Sequence, residues 1–199
     1  KVKSEIERAE KEIEKAKLEI ENSKPEIARA KIEIEKAIKG INSLLPVDIA
    51  VENIIPVSET AHARFDATLR SYEYHIHFQK NPFKNDVSWL VRDVLDVDAM
   101  NVAAKIIMEY QDFGAFCKSN ADNFTNICLI TKSEWEVKPD GMIYHISANR
   151  FLRNMVRAIV GTLVEVGKGK IQPDAMHQII QSQNRSVAGA SVPACGLFL

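Results

Sequence analysis

Cysteine is scarce in this chain: Cys117, Cys128 and Cys195 are three among 199 residues, odd in number and without a CxxC pair. That usage excludes a disulfide framework and a zinc site, and points to reduced thiols that serve packing. No apolar run reaches the roughly 18 residues that a membrane-crossing helix needs. The N-terminus is a charged helix former instead of a signal peptide, so a cytoplasmic location is expected and no membrane partner. A dominant charge is missing too, with 26 Lys+Arg against 27 Asp+Glu and a formal net charge of −1. The basic excess of a dedicated nucleic-acid binder is therefore absent, and any RNA contact must rest on a local patch. Also absent are GxGxxG, the P-loop, HExxH and GxSxG, which removes dinucleotide, nucleotide, zinc-protease and serine-hydrolase chemistry in their usual forms. Of the five histidines (His62, His75, His77, His145 and His177) only His75 and His77 share a spacing, two apart on one strand face. Neither a metal site nor a cofactor is expected from them.

What is present is 46% hydrophobic residues, enough for a core, written in two idioms. Isoleucine recurs every seventh residue at 6, 13, 20, 27, 34 and 41, with Ala at 9, 16, 30 and 37 and Ser23 in the remaining layer. This is an a/d seam of alternating large and small residues on a helix, broadened by Leu18, Ile32 and Ile38. Pro25 lacks an amide hydrogen, and Ser23 with Glu26 has the spacing of a capping box. A helical hairpin over 4–22 and 24–44 is therefore expected, the alternative being one long helix kinked at Pro25. The uniform Glu, Lys, Ile and Ala vocabulary resembles that of designed helices.

Beyond Asn42 the idiom changes to strands alternating with helices. "DIAVENIIPV" and "ARFDATLRSYEYHIHF" read as strands, and "VDAMNVAAKIIMEYQDF" as an amphipathic helix. "NICLITKSEWEVKPDGMIYHISAN" reads as a hairpin around a Pro-Asp-Gly turn, carrying Trp135 and Tyr144. "RFLRNMVRAIVGTLVEVGKGK" is a helix ending at Gly167, "PDAMHQIIQS" a shorter one, and "GLFL" a last strand. The expected fold is α+β, a mostly antiparallel sheet with helices on one face.

Two stretches concentrate cations and rings. Arg64, Arg70, Tyr72 and Tyr74 share one strand face by period two, and positive charge beside aromatic rings suits an unstacked base. The same pattern also fits a half-buried aromatic face with solvated arginines. Arg150, Arg153 and Arg157 follow, with Arg153 and Arg157 four apart on a helix face beside an apolar stripe. An arginine so placed needs an anion, either a structural carboxylate or a phosphate.

Taken in order, "AHARF", "DATLRSYEYHI", "DFGAFCKS", "NICLITKSEWE", "ANRFLRNMVRAIVGTLVEVGKGK" and "ACGLFL" closely resemble the C-terminal half of bacterial tRNA pseudouridine synthases of the TruA family. "INSLLPVDIAV" resembles that family's linker, so the resemblance covers about Asn42 to Leu199. It implies two similar α+β halves meeting around a basic cleft, and cofactor-free isomerisation of uridine in the anticodon arm of tRNA. There an aspartate breaks the bond between the extruded base and its ribose through a covalent intermediate, and the base is rejoined through carbon. By the same resemblance Tyr72 stacks on the uracil, Arg157 pairs with the catalytic aspartate and Leu197 lines the pocket. Arg64, Arg70, Arg150 and Arg153 are the implied RNA contacts.

The family's nucleophile sits in a G-R-T-D-x-G-V-H motif that does not occur in this sequence. Asp48, Asp66 and Asp112 adjoin matching stretches but read as surface, turn or capping residues. The expectation is a chimera: residues 1–41 a helical hairpin covering one face of the sheet, and residues 42–199 a synthase half-domain that is catalytically inactive on its own. Its tRNA affinity is expected to be weakened or lost. A split synthase completed by a partner, a non-catalytic RNA-binding module, and a homo-oligomer through the helices or the sheet face are the other readings. The resemblance also implies a last strand longer than the one ending at Leu199.

Overall fold

The computed structural model describes residues 2–118 and 124–199 and, within the first helix, the side chains of 12–15, 17 and 21 onward. Of the heptad positions, Ile6, Ala9, Ala16 and Ile20, with the flanking Leu18, lie outside the described side chains. The chain forms two compact units, Lys1–Ala61 and His62–Leu199. Among the described residues no helix is long and apolar enough to cross a membrane.

The first unit holds one helix, α1 (Val2–Leu44), which continues through Pro25. The turn of the expected hairpin is not formed. A mid-helix proline costs about 3 kcal/mol, but its neighbours are strong helix formers whose heptad phase is unbroken on both sides. The exposed pair Glu21 and Lys24 bridges the turn just before the proline at 2.5 Å. After α1 the strand expected from Asp48 to Pro56 is absent. Val51 instead bonds both its backbone groups to the Asn42 side chain: its N–H donates to Oδ1 at 2.7 Å and its carbonyl accepts from Nδ2 at 2.8 Å. The amide occupies the place a neighbouring strand would take.

The second unit contains β1 (Arg70–His77), β2 (Trp89–Leu90), α2 (Val97–Ile107), β3 (Ile130–Lys138), β4 (Gly141–Ala148), α3 (Met155–Gly167), α4 (Ala175–Gln181) and β5 (Leu197–Phe198). The strands form one sheet in the order β2-β1-β4-β3, with β5 on β1. All pairings are antiparallel except β1 with β2. This is the expected α+β fold. The β3–β4 hairpin sets Trp135 opposite Tyr144, as its alternation and turn predict.

The core lies on the sheet face carrying Tyr74, Ile76, Met142, Tyr144 and Ile146, where α2 and α3 bring Met100, Ile107, Met155, Ile159 and Leu163. Inside it the hydroxyls of Ser133 and Tyr144 pair at 2.7 Å. Asn101 of α2 reaches the outer strand β3 and bonds both backbone groups of Trp135, at 2.8 and 3.3 Å. The opposite sheet face is polar. Ser71 pairs with Ser147 at 2.8 Å, and His145 lies between Glu73 and Glu136 at 3.5 and 3.1 Å.

Three further boundaries differ from the sequence reading. The long strand expected over 63–78 begins only at Arg70, because 62–66 form a turn in which Asp66 accepts the His62 N–H at 2.7 Å. The expected extension of α2 to Phe113 stops at Ile107, and Asp112 caps the next turn by accepting the Gly114 N–H. Helix α3 starts at Met155 because Asn154 adopts a left-handed φ of 69°. Arg153 therefore precedes the helix, and the expected Arg153–Arg157 helix face does not exist.

Candidate functional site

Strand β1 runs from an exposed rim into the core, so residues on its inward face pass from polar to apolar surroundings: Arg70, Tyr72, then fully buried Tyr74. At the rim a pocket of about 540 Å³ is lined by Arg64, Phe65, Ala67, Arg70, Phe124, Asn149, Arg150 and Phe151. Turn 62–66 supplies the first two, β1 supplies Arg70, and the segment after β4 supplies the last three. Among the described residues, no carboxylate lines it.

Arg70 is a frame member. Its guanidinium donates to the carbonyls of Ala67 at 3.3 Å, Asn149 at 3.1 Å and Arg64, tying the turn to the end of β4. Arg150 donates to the Thr125 carbonyl at 3.3 Å, and the Arg64 guanidinium sits 5.6 Å from the Phe65 ring centre. Phe65 is 74% exposed, so its ring is available to a planar ligand. Tyr72 meets Phe151 edge to face at 5.3 Å, which extends the aromatic wall inward.

A second cluster forms deeper along β1. Leu197 of β5 pairs with Tyr74, whose hydroxyl donates to the Pro193 carbonyl at 2.7 Å. Burial, then the Cys195 sulfur, pushes that hydroxyl's pKa well above the usual tyrosine range, while the Arg157 charge pulls the other way. Arg157 is half-buried and donates Nε–H to the Val192 carbonyl at 2.6 Å. The structure thus groups Arg64, Arg70 and Arg150 around the pocket, links Tyr72 to its edge through Phe151, and pairs Leu197 with Tyr74, whose hydroxyl feels the Arg157 charge. Arg153 is exposed and lines neither cluster.

Asp66 spends an oxygen on the His62 backbone, Asp112 on that of Gly114, and Asp48 is exposed in the first unit. His75 bonds Glu73 at 2.9 Å, while His77 is buried. Phe65, Phe124, Asn149 and Phe151 were not singled out by sequence. The available signal was adjacency, since three of them flank Arg64 or Arg150 directly.

Comparison with known proteins bears on this arrangement. The pattern of a family described as tRNA pseudouridine synthase matches residues 103–199. The tRNA pseudouridine synthase A of Azobacteroides pseudotrichonymphae is 47% identical over 161 residues, which are 81% of this chain and 65% of that protein. Over four fifths of its length this chain is similar to tRNA pseudouridine synthases. The synthase of Parabacteroides distasonis is also 47% identical, over 80% of this chain and 63% of its own length. That of Bacillus subtilis is 35% identical over 80% and 65%. The chain spans just under two thirds of the length of these synthases. The pocket and the Arg157 cluster lie in the α+β unit, the one carrying the family match.

Proposed function

We propose that the α+β unit is the tRNA-binding and uracil-binding part of a tRNA pseudouridine synthase acting in the cytoplasm. We further propose that these 199 residues alone do not isomerise uridine. The observation that carries the first part is the open pocket of three arginines and three phenylalanines. Cations beside exposed ring faces suit an extruded base flanked by phosphates. In this reading Arg64 and Arg150 hold the RNA backbone, and Tyr72 with Phe151 forms the wall against which the uracil stacks. Arg157 keeps Nε on Val192 and leaves its two Nη groups for the nucleophile's carboxylate, which such a contact holds ionised. Leu197 is the apolar floor.

The inactivity rests on chemistry the chain does not contain. A nucleophile must come within about 3 to 3.5 Å of its target. The G-R-T-D-x-G-V-H motif is absent from the sequence, and no carboxylate is among the described residues that line the pocket. In the same reading residues 1–41 are a helical element joined to family sequence beginning at Asn42, which makes the chain a chimera.

The test has two arms. Tritium release from tRNA labelled at uracil C5 is expected to stay at background with the pure chain, and turnover overturns the inactivity. Turnover on adding a separately made fragment with the missing motif identifies a split enzyme. In the second arm, binding to an anticodon-arm RNA is measured against salt for the chain and its R64A/R150A variant. Loss of two phosphate contacts lowers the slope of log K against log salt by about 2, whereas an unchanged slope removes the pocket from RNA binding.

A further inference from the structure

The isoleucine seam of α1 stands open in a single chain. Ile13, Ile27 and Ile41 are 56%, 63% and 40% exposed, and Leu44, at the next small-residue position, is 87% exposed. A heptad stripe that stays wet is an interface without its partner. The charges flanking the seam specify what that partner is.

With isoleucine at a and Ala or Ser at d, the g positions are 5, 12, 19, 26 and 33, and every one is glutamate. The e positions are Glu10, Lys17, Lys24, Lys31 and Ile38, so the three central ones are lysine. In a parallel, in-register pair each g residue faces the e residue five positions on in the other helix, so Glu12 meets Lys17, Glu19 meets Lys24 and Glu26 meets Lys31 on both sides of the seam; only the first contact, Glu5 with Glu10, is repulsive, and Glu33 meets Ile38. In an antiparallel pair g faces g and e faces e, which sets glutamate on glutamate and lysine on lysine along the helix. The present partners of two of these lysines are exposed helix neighbours, Glu14 at 3.7 Å from Lys17 and Glu21 at 2.5 Å from Lys24, the class of contact that exchanges at little cost. Pro25 falls at f, farthest from the seam, so its missing hydrogen bond does not disturb the contact face.

We infer that α1 is a parallel, in-register homodimerisation element, and that its partner is a second copy of this chain. The Glu–Lys pairs select the parallel register, and the alanine layers let the helices approach closely. The inference stands on α1 alone, independently of what the α+β unit binds.

The full chain is measured by sedimentation and light scattering, with a dimer of twice 22.4 kDa expected. Replacing the three e lysines as K17E/K24E/K31E turns six attractive pairs into repulsive ones and weakens dimerisation by about a hundredfold or more. An I13C variant, oxidised beside the parent as control for the native cysteines, reports direction, because only the parallel register sets position 13 against itself. A monomeric parent, a triple variant that stays dimeric, or a dimer in which I13C adds no cross-link overturns the inference.

Discussion

Gly161 lies in the middle of α3, and replacing it with alanine tests how the C-terminal segment is held. A Cβ at this position falls 1.8 Å from the Ala190 carbonyl oxygen and 3.0 Å from its carbon. Ordinary carbon to oxygen contact is about 3.3 Å, so the backbone near Ala190 must retreat by about 1.5 Å. That movement pulls on three bonds fastening the segment to the helix. The Gly189 N–H donates to Thr162 Oγ1 at 2.9 Å, Arg157 Nε–H to the Val192 carbonyl at 2.6 Å, and the Val192 N–H to the Arg157 carbonyl at 3.3 Å. At about 1 kcal/mol each their loss costs about 3 kcal/mol, and the better helix propensity of alanine returns about 1 kcal/mol. The expected net loss is about 2 kcal/mol, or about 6 to 8 °C in Tm for a unit of this size. Urea and thermal unfolding measure it, and amide exchange at 189–192 should quicken by more than at the β3–β4 hairpin. A G161A protein as stable as the parent, or more stable by the propensity gain alone, refutes the close crossing of helix and segment.

Removing one partner of the buried Ser133–Tyr144 pair leaves the other hydroxyl without a bond, so S133A should cost about 1 to 3 kcal/mol. The double variant S133A/Y144F should cost less than the two single losses added, which a double-mutant cycle in urea checks. Lys84 holds the Asp140 carboxyl below its ordinary 3.8 by a hydrogen bond and by charge, as Lys168 does for Asp93 and Lys138 with His145 for Glu136. A depressed carboxylate stabilises the fold above its unfolded pKa and ceases to as pH falls through the folded value. Stability should therefore drop below about pH 4, and D140N should flatten the pH dependence of Tm there. Thr162 accepts the Gly189 N–H while donating to the Ala158 carbonyl, so T162V should cost about 1 to 2 kcal/mol by denaturant unfolding.

The elements that were legible in the sequence are those where local pattern and long-range packing agree. The alternation around Trp135 and Tyr144, broken by Pro-Asp-Gly, gives the hairpin directly, and the apolar run after Met155 can only be a buried helix. The misreadings arise where one residue overrides its neighbours. Pro25 carries the strongest local signal for a break, yet the cost of one bond is small against the helix propensity on both sides. Asn154 interrupts a run that looks helical from Arg150 onward because an asparagine tolerates left-handed backbone, and this moves Arg153 off the helix. "DIAVENIIPV" has strand composition, but a strand needs a partner, and Val51 finds Asn42 instead. Along β1, period two sets Arg70 and Tyr72 on one face, of which Arg70 lines the pocket. It could not place Arg64, which reaches the site through a turn, nor show that Phe65 and Phe151 close the same cavity from distant parts of the chain.

The amide of Asn101 on the backbone of Trp135 has a consequence for how the sheet ends. A terminal strand offers unpaired N–H and C=O groups to any extended peptide, and so invites aggregation or strand addition. Here a helix of the same unit satisfies both groups at the middle of β3. A foreign strand would have to displace a side chain fixed by its own helix before it could zip along the edge. The unit thus carries a stopper against growth of its own sheet, and exchanging Asn101 for alanine would turn a closed border into an adhesive one.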